Sequence, residues 1–170
     1  MAACLTIGIQ NVNSLWICYH SLSLLCLAAF AEYDIRHRKI KNAALIPFFF
    51  WCLLSIPVTL SMVPIIPAFC FLEAVMGFLF GGLLLLIAAM VSNNGIGGGD
   101  IKLLFLTGLF LGWQKNLLCL LLACVVGILW GLVRAKRGQQ GLPWGPGIAL
   151  AAWSAALFGQ NLIDWYLSLL

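Results

Sequence analysis

Long apolar runs separated by short polar stretches divide this chain into six segments. The first covers residues 14–33 and ends at a charged stretch, 34–42. The second, 43–60, carries Pro47 and Pro57 and is followed by a proline-bearing turn at 61–67. The third covers 68–91, and a polar, glycine-rich loop follows at 92–99. The fourth is short, 100–113, and residues 114–116 turn the chain into the fifth, 117–133. A basic loop rich in glycine and proline, 134–146, leads to the sixth, 147–167. A helix crosses the hydrocarbon core of a bilayer with ~20 mostly apolar residues. Internal proline does not exclude helix there, because neighbouring groups satisfy the backbone atoms it frees. The pattern predicts an all-α, polytopic membrane protein with six transmembrane helices, forming one domain over residues 1–170.

Composition removes a soluble alternative. Of 170 residues 64% are hydrophobic and 8% charged, with a mean hydropathy of +1.08. Soluble domains carry roughly 25% charged residues, so the solvent that suits this surface is lipid. The net charge of +4 does not point to nucleic acid, because the basic residues fall in loops. With six spans, one side receives Arg36, Arg38, Lys39, Lys41, Lys102, Arg134, Lys136 and Arg137, and the other only Lys115. Basic loops stay in the cytoplasm, so both termini are expected outside it. Residues 1–13 hold no Lys or Arg, which gives no sign of a cleaved targeting peptide. The seven cysteines are odd in number and form no Cys-x-x-Cys. They are expected to pack as small apolar side chains, not as a disulfide or zinc framework.

Ionisable groups near lipid are costly and need a reason. The acids are Glu32, Asp34, Glu73, Asp100 and Asp164. Asp34 closes the first segment and Asp100 opens the fourth, both at the cytoplasmic end. Counting ~20 residues back from Lys115, a marker of the outer interface, reaches about Gly95. Asp100 then lies inside the nominal boundary, where a carboxylate should line a polar cavity. Two carboxylates in one cavity share a proton, one serving as base and the other as acid. Such a pair can activate water and protonate a leaving amine. The same residues also read as interface groups beside Arg36 and Lys102, and a small transporter or a non-enzymatic pilus-assembly protein could use them for ions or contacts.

Three stretches resemble motifs of the type IV prepilin peptidases. Gly97-Gly98-Gly99-Asp100 fits the Gly-x-Gly-Asp signature of intramembrane aspartyl proteases, and its continuation through Gly108 to Gly112-Trp113 is similar to that family's second aspartate motif. Residues from Asp34 to Asn42 resemble the first, in which the aspartate ends a helix and a basic stretch closes with Ile-Pro-Asn; here Lys41 stands at the proline position. Pro143-Trp144-Gly145-Pro146 resembles the Pro-x-Gly-Pro segment that opens the last helix. Tyr33-Asp34 also matches the Tyr-Asp of the presenilin type, but that type needs a late Pro-Ala-Leu motif and about nine spans.

The resemblance implies a catalytic pair, Asp34 and Asp100, with Gly97, Gly98, Gly99 and Lys102 in the active-site loop and no metal or other cofactor. It implies cleavage of the short basic leader of a prepilin or pseudopilin at the cytoplasmic face of the bacterial inner membrane. The paired Cys-x-x-Cys of the larger members, linked to N-methylation, is absent, so the chain is similar to the short, peptidase-only branch and no methyltransferase activity is expected.

The remaining polar residues have simpler expectations. Lys102 either holds Asp100 ionised or anchors its helix. Glu73 lies toward the outer end of the third segment, far from the two aspartates, and is expected to pack or hydrogen-bond. His37 should be solvated, His20 packed, and Asp164 interfacial. Trp113, Trp144 and Trp165 sit near span ends, as interfacial anchors do. Gly77, Gly81 and Gly82 offer a small-residue face for close helix packing. The charge count carries its own test. Reporter fusions after residues 34, 91 and 133 should report cytoplasm, and a C-terminal fusion should report the outside. A cytoplasmic C-terminus would end the six-span arrangement.

Overall fold

The computed structural model describes residues 14–37, 40–62, 67–91, 96–135 and 144–169. Seven helices account for nearly all of them: α1 Ser14–His37, α2 Asn42–Leu53, α3 Ser55–Met62, α4 Pro67–Val91, α5 Gly98–Leu111, α6 Trp113–Ala135 and α7 Trp144–Leu167. Among the described residues there is no strand. Arg38, Lys39, Lys136, Arg137, Pro143, residues 1–13, residues 63–66 and the 92–95 part of the glycine loop lie outside the described residues, and so does the side chain of Arg134.

Helix boundaries differ from the apolar pattern in four places, each for a local reason. α1 runs on past Tyr33 to His37, because polar residues do not by themselves stop a helix. Arg36 pairs with Glu32 one turn back, and His37 stacks on Tyr33 at 4.2 Å. The second segment breaks at Leu54 into α2 and α3. Pro57 has no N–H to return to Leu53 four residues earlier. The Leu54 N–H instead turns tightly onto Trp51 O at 3.1 Å, while Pro47 is absorbed within α2. The turn expected at 114–116 lies at Gly112, whose φ of +76° suits glycine. Residues Trp113 to Asn116 form the first turn of α6. α7 begins at Trp144 and takes Gly145 and Pro146 into its first turn, where a missing N–H costs no helical bond.

The surface is apolar and the interior holds polar groups. Val91, Met90, Phe50 and Leu157 are more than 60% exposed, whereas Ser23, Asp34, Ser55, Asp100, Thr107 and Asn116 are buried. That inversion suits a protein solvated by lipid. By length and composition, Asn42–Thr59, Ala68–Val91 and Trp113–Gly131 are each able to cross a membrane. α5, with 14 residues, is only about 21 Å long. It is the central helix, packing against α2, α3, α4, α6 and α7.

Polar and small residues fix that centre. Asn116 on α6 is fully buried and donates to Gly77 O on α4 at 2.8 Å. The Thr107 hydroxyl on α5 lies 2.9 Å from Leu104 O and 3.1 Å from Asn116 Oδ1. A methyl group on Gly108 would strike the backbone of Gly77, and one on Gly77 that of Gly108. The glycine face read from sequence is thus the contact between α4 and α5, with Gly82 under the Phe105 ring. Elsewhere Trp51 Nε1 donates to Ser23 Oγ at 2.9 Å, Trp153 Nε1 to Leu24 O at 3.2 Å, and Ser55 Oγ to Leu109 O at 3.0 Å. These bonds tie α2 to α1, α7 to α1, and the start of α3 to α5. Cys52 and Cys119 are buried among the packed helices, and Cys18 is exposed.

Substitutions at this centre should show it. Gly108→Ala should cost about 1–3 kcal/mol through overpacking, and Asn116→Ala about 1–2 kcal/mol through lost interhelical bonds. Gly98→Ala, with nothing within 4 Å of the added carbon, should stay within about 0.5 kcal/mol of the parent. Denaturant unfolding in detergent measures all three.

Candidate active site

Asp34 and Asp100 lie at the same end of the bundle. Asp34 sits in the last turn of α1 and Asp100 in the first turn of α5, with only 4% and 6% of their surfaces exposed. They are close enough for each to feel the other's charge. Asp34 Oδ2 accepts the Gly145 N–H at 3.1 Å, so α7 reaches the pair through its first turn. Asp100 Oδ1 is buried and has no hydrogen-bond partner among the described residues.

The glycines explain how the chain comes so near. A Cβ on Gly97 would stand 2.8 Å from Asp100 Oδ2, and one on Gly99 would stand 2.9 Å from Ile40 Cβ. One on Gly98 would meet nothing within 4 Å. The two fixed glycines of a Gly-x-Gly-Asp pattern are therefore the two with close neighbours, and the free position faces open space. Gly99 against Ile40 brings the start of α5 to the segment that follows α1. A Cβ on Gly145 would lie 2.8 Å from Asp34 Oδ2, so only glycine lets α7 come this close.

Among the described residues, the neighbouring cations are held elsewhere. Lys102 Nζ donates to Asn42 Oδ1 at 3.0 Å, joining the start of α5 to the start of α2 instead of pairing with Asp100. Arg36 is on Glu32. Lys41 Nζ lies over the Tyr33 ring, 5.6 Å from its centre. Lys41 has φ −71° and ψ 125°, within the range proline itself adopts. The backbone at this departure from the motif thus keeps the shape proline would impose.

Glu73 is at the opposite end. It lines a cavity of about 170 Å³ together with His20, Lys115 and Gln160. Lys115 interacts electrostatically with Asp164 and Glu73, and Gln160 Nε2 donates to Asp164 Oδ1 at 3.0 Å. Sequence alone did not join these residues, since they come from separate helices. The Asn42–Lys102 bond and the Gly145 amide were also missed as contacts, although the Pro-x-Gly-Pro resemblance had singled out Gly145. Among the described residues no group of three or more His, Cys, Asp or Glu side chains could hold a metal ion.

Comparison with known proteins agrees with the motifs. The family model described as "Type IV leader peptidase family" matches residues 21–132, a stretch that includes both aspartates. A prepilin leader peptidase/N-methyltransferase of Aeromonas salmonicida is 37% identical over 105 residues, covering 56% of this chain and 36% of that protein. A protein of the same name from Bacillus subtilis is 30% identical over 152 residues, covering 87% and 58%. Another, from Xanthomonas campestris, is 28% identical over 158 residues, covering 89% and 54%. The chain thus spans about a third to somewhat over half the length of these relatives. No solved structure matches.

Cross-linking can check the approach of α5 to the end of α1. In a background without native cysteines, Ile40→Cys with Gly99→Cys should form a disulfide under mild oxidation, with about 1 Å of separation to reach the usual Cβ spacing. Ile40→Cys with Gly98→Cys should form little. Mass spectrometry of the joined peptides reads both, and equal yields would contradict the packing described.

Proposed function

The chain belongs to the type IV leader peptidase family, and from that premise we propose that it is a membrane-embedded aspartic endopeptidase with Asp34 and Asp100 as its catalytic pair. The observation that carries this reading is the burial of both carboxyl groups at one end of the bundle, within range of each other's charge. Two acids so placed cannot both ionise easily. One takes a proton from water as it attacks the peptide carbonyl, and the other supplies a proton to the carbonyl oxygen.

The substrates are prepilin or pseudopilin proteins, which lose a short basic leader. The membrane is the bacterial inner membrane. In this reading the chain has six spans, both termini outside the cytoplasm and the pair at the cytoplasmic face, and the eight-to-one distribution of Lys and Arg supports this orientation. The relatives' names also include N-methyltransferase. These 170 residues hold no Cys-x-x-Cys, and we assign them only the peptidase activity. The reaction needs no cofactor.

Cleavage of a prepilin by purified protein in liposomes tests the proposal. Asp34→Asn and Asp100→Asn should each lower the rate by about a thousandfold or more, and the double variant should be no worse, because the two act as a unit. Lys102→Ala should lose less than about tenfold, the worth of one exposed hydrogen bond. Chelators and inhibitors of serine or cysteine proteases should have no effect. Processing that survives either Asp→Asn change overturns the assignment.

A further inference from the structure

The two aspartates do not have equivalent surroundings. Asp34 Oδ2 receives the Gly145 N–H at 3.1 Å. That amide belongs to the first turn of α7, where N–H groups have no partner within the helix and the helix presents its positive end. Pro146, the next residue, has no N–H to offer. Asp34 therefore caps α7 from a residue 111 positions away. A donor on a carboxylate, at the positive end of a helix, favours its anion. Asp100 has the opposite setting. Its Oδ1 is buried and accepts no hydrogen bond from the described residues. It too lies in the first turn of a helix, but no amide of that turn reaches this oxygen. An anionic oxygen left bare at this depth is costly, whereas a proton there removes the charge.

Resting on the reading of this chain as an aspartic peptidase, we infer that the pair is asymmetric at rest: the Gly145 amide holds Asp34 as the ionised base, and Asp100 carries the proton. Gly145 is then a positioning residue that acts through Asp34. Among the described residues, the charged groups around Asp34 fit this arrangement. α7 brings no charged side chain in its first turn. α5 brings Asp100 and Lys102, and Lys102 is bonded to Asn42. On and beside α1, Arg36 is on Glu32, His37 is on Tyr33 O, and Lys41 is over the Tyr33 ring.

The steps balance. Asp34 takes a proton from water as the water oxygen bonds to the peptide carbonyl carbon, and Asp100 gives its proton to the carbonyl oxygen. The product is a neutral gem-diol, with Asp34 protonated and Asp100 ionised. Asp34 then gives its proton to the amide nitrogen as the C–N bond breaks. Asp100 takes a proton from one gem-diol hydroxyl. A carboxylic acid and an amine leave, and both aspartates are back in their starting states.

Two measurements on the full chain in liposomes test the inference. In Gly145→Ala the added carbon, 2.8 Å from Asp34 Oδ2, forces the amide and carboxylate apart. The acidic limb of kcat/KM against pH should move up by about one pH unit, as expected for losing a hydrogen bond to a charged group, with the basic limb unmoved. A uniform fall at every pH would show a purely structural role and overturn the inference. The second measurement uses a leader peptide whose scissile amide is replaced by a secondary alcohol. Asp100→Asn should bind it within about threefold of the parent, because a carboxamide stands in for the neutral acid. Asp34→Asn should bind it about thirtyfold or more weakly, having lost the anionic acceptor. Equal losses, or the reverse order, overturn the inference. A parent chain that cuts no leader overturns the peptidase reading and this inference with it. Cleavage with symmetrical variants overturns the inference alone.

Discussion

The buried carboxamide of Asn116 is the contact on which the arrangement of the bundle depends. It donates to Gly77 O on α4 and accepts from Thr107 on α5, while Gly77 and Gly108 meet backbone to backbone beside it. Lipid tails are as apolar as leucine, so burying leucine against leucine gives helices little reason to associate in a bilayer. Close backbone packing and interhelical hydrogen bonds supply the reason instead. α5 is short and enclosed, and its first turn carries Asp100. Whatever fixes the height and rotation of α5 also fixes Asp100, and Asn116 fixes α5 from the middle.

The same constraint explains why the polar groups are inside. Ser23 satisfies Trp51, Ser55 satisfies the Leu109 carbonyl, and Asn116 satisfies Gly77. Each is a buried polar atom paired across helices, as a medium without water requires. Against that background Asp100 Oδ1 and Gln160 Oε1, buried without a partner among the described residues, are exceptions. Buried orphans in an otherwise satisfied interior mark positions held for something other than stability. For Asp100 in the proposed peptidase that purpose is to hold a proton.

Much of this was legible because lipid imposes so simple a code. Apolar runs gave the helices, and two acids beside polar, glycine-rich sequence stood out from an otherwise neutral chain. The misses came from single backbone atoms. Pro57 breaks the second run because Leu53 lacks a donor, and Gly112 turns the chain because its φ is positive; neither effect alters hydropathy. Lys41 departs from the proline of the motif it resembles, yet its backbone angles are those of proline. The contacts of Lys102 with Asn42 and of Gly145 with Asp34 span 60 and 111 positions. No local pattern encodes contacts at that range.

The two ends of the bundle use charge differently. At one end Lys115 sits among Glu73, Gln160 and Asp164, so an ammonium and carboxylates offset one another. At the other, Lys102, Arg36 and Lys41 are engaged with Asn42, Glu32 and Tyr33. A lysine seated between Asp34 and Asp100 would stabilise both as anions and remove the acid that the proposed reaction needs. A backbone amide delivers a weaker and more directional field than an ammonium. It can favour the anion of one carboxylate and leave the other to hold a proton. That discrimination follows from a glycine at the head of a helix, since any side chain there would keep the amide from reaching the carboxylate.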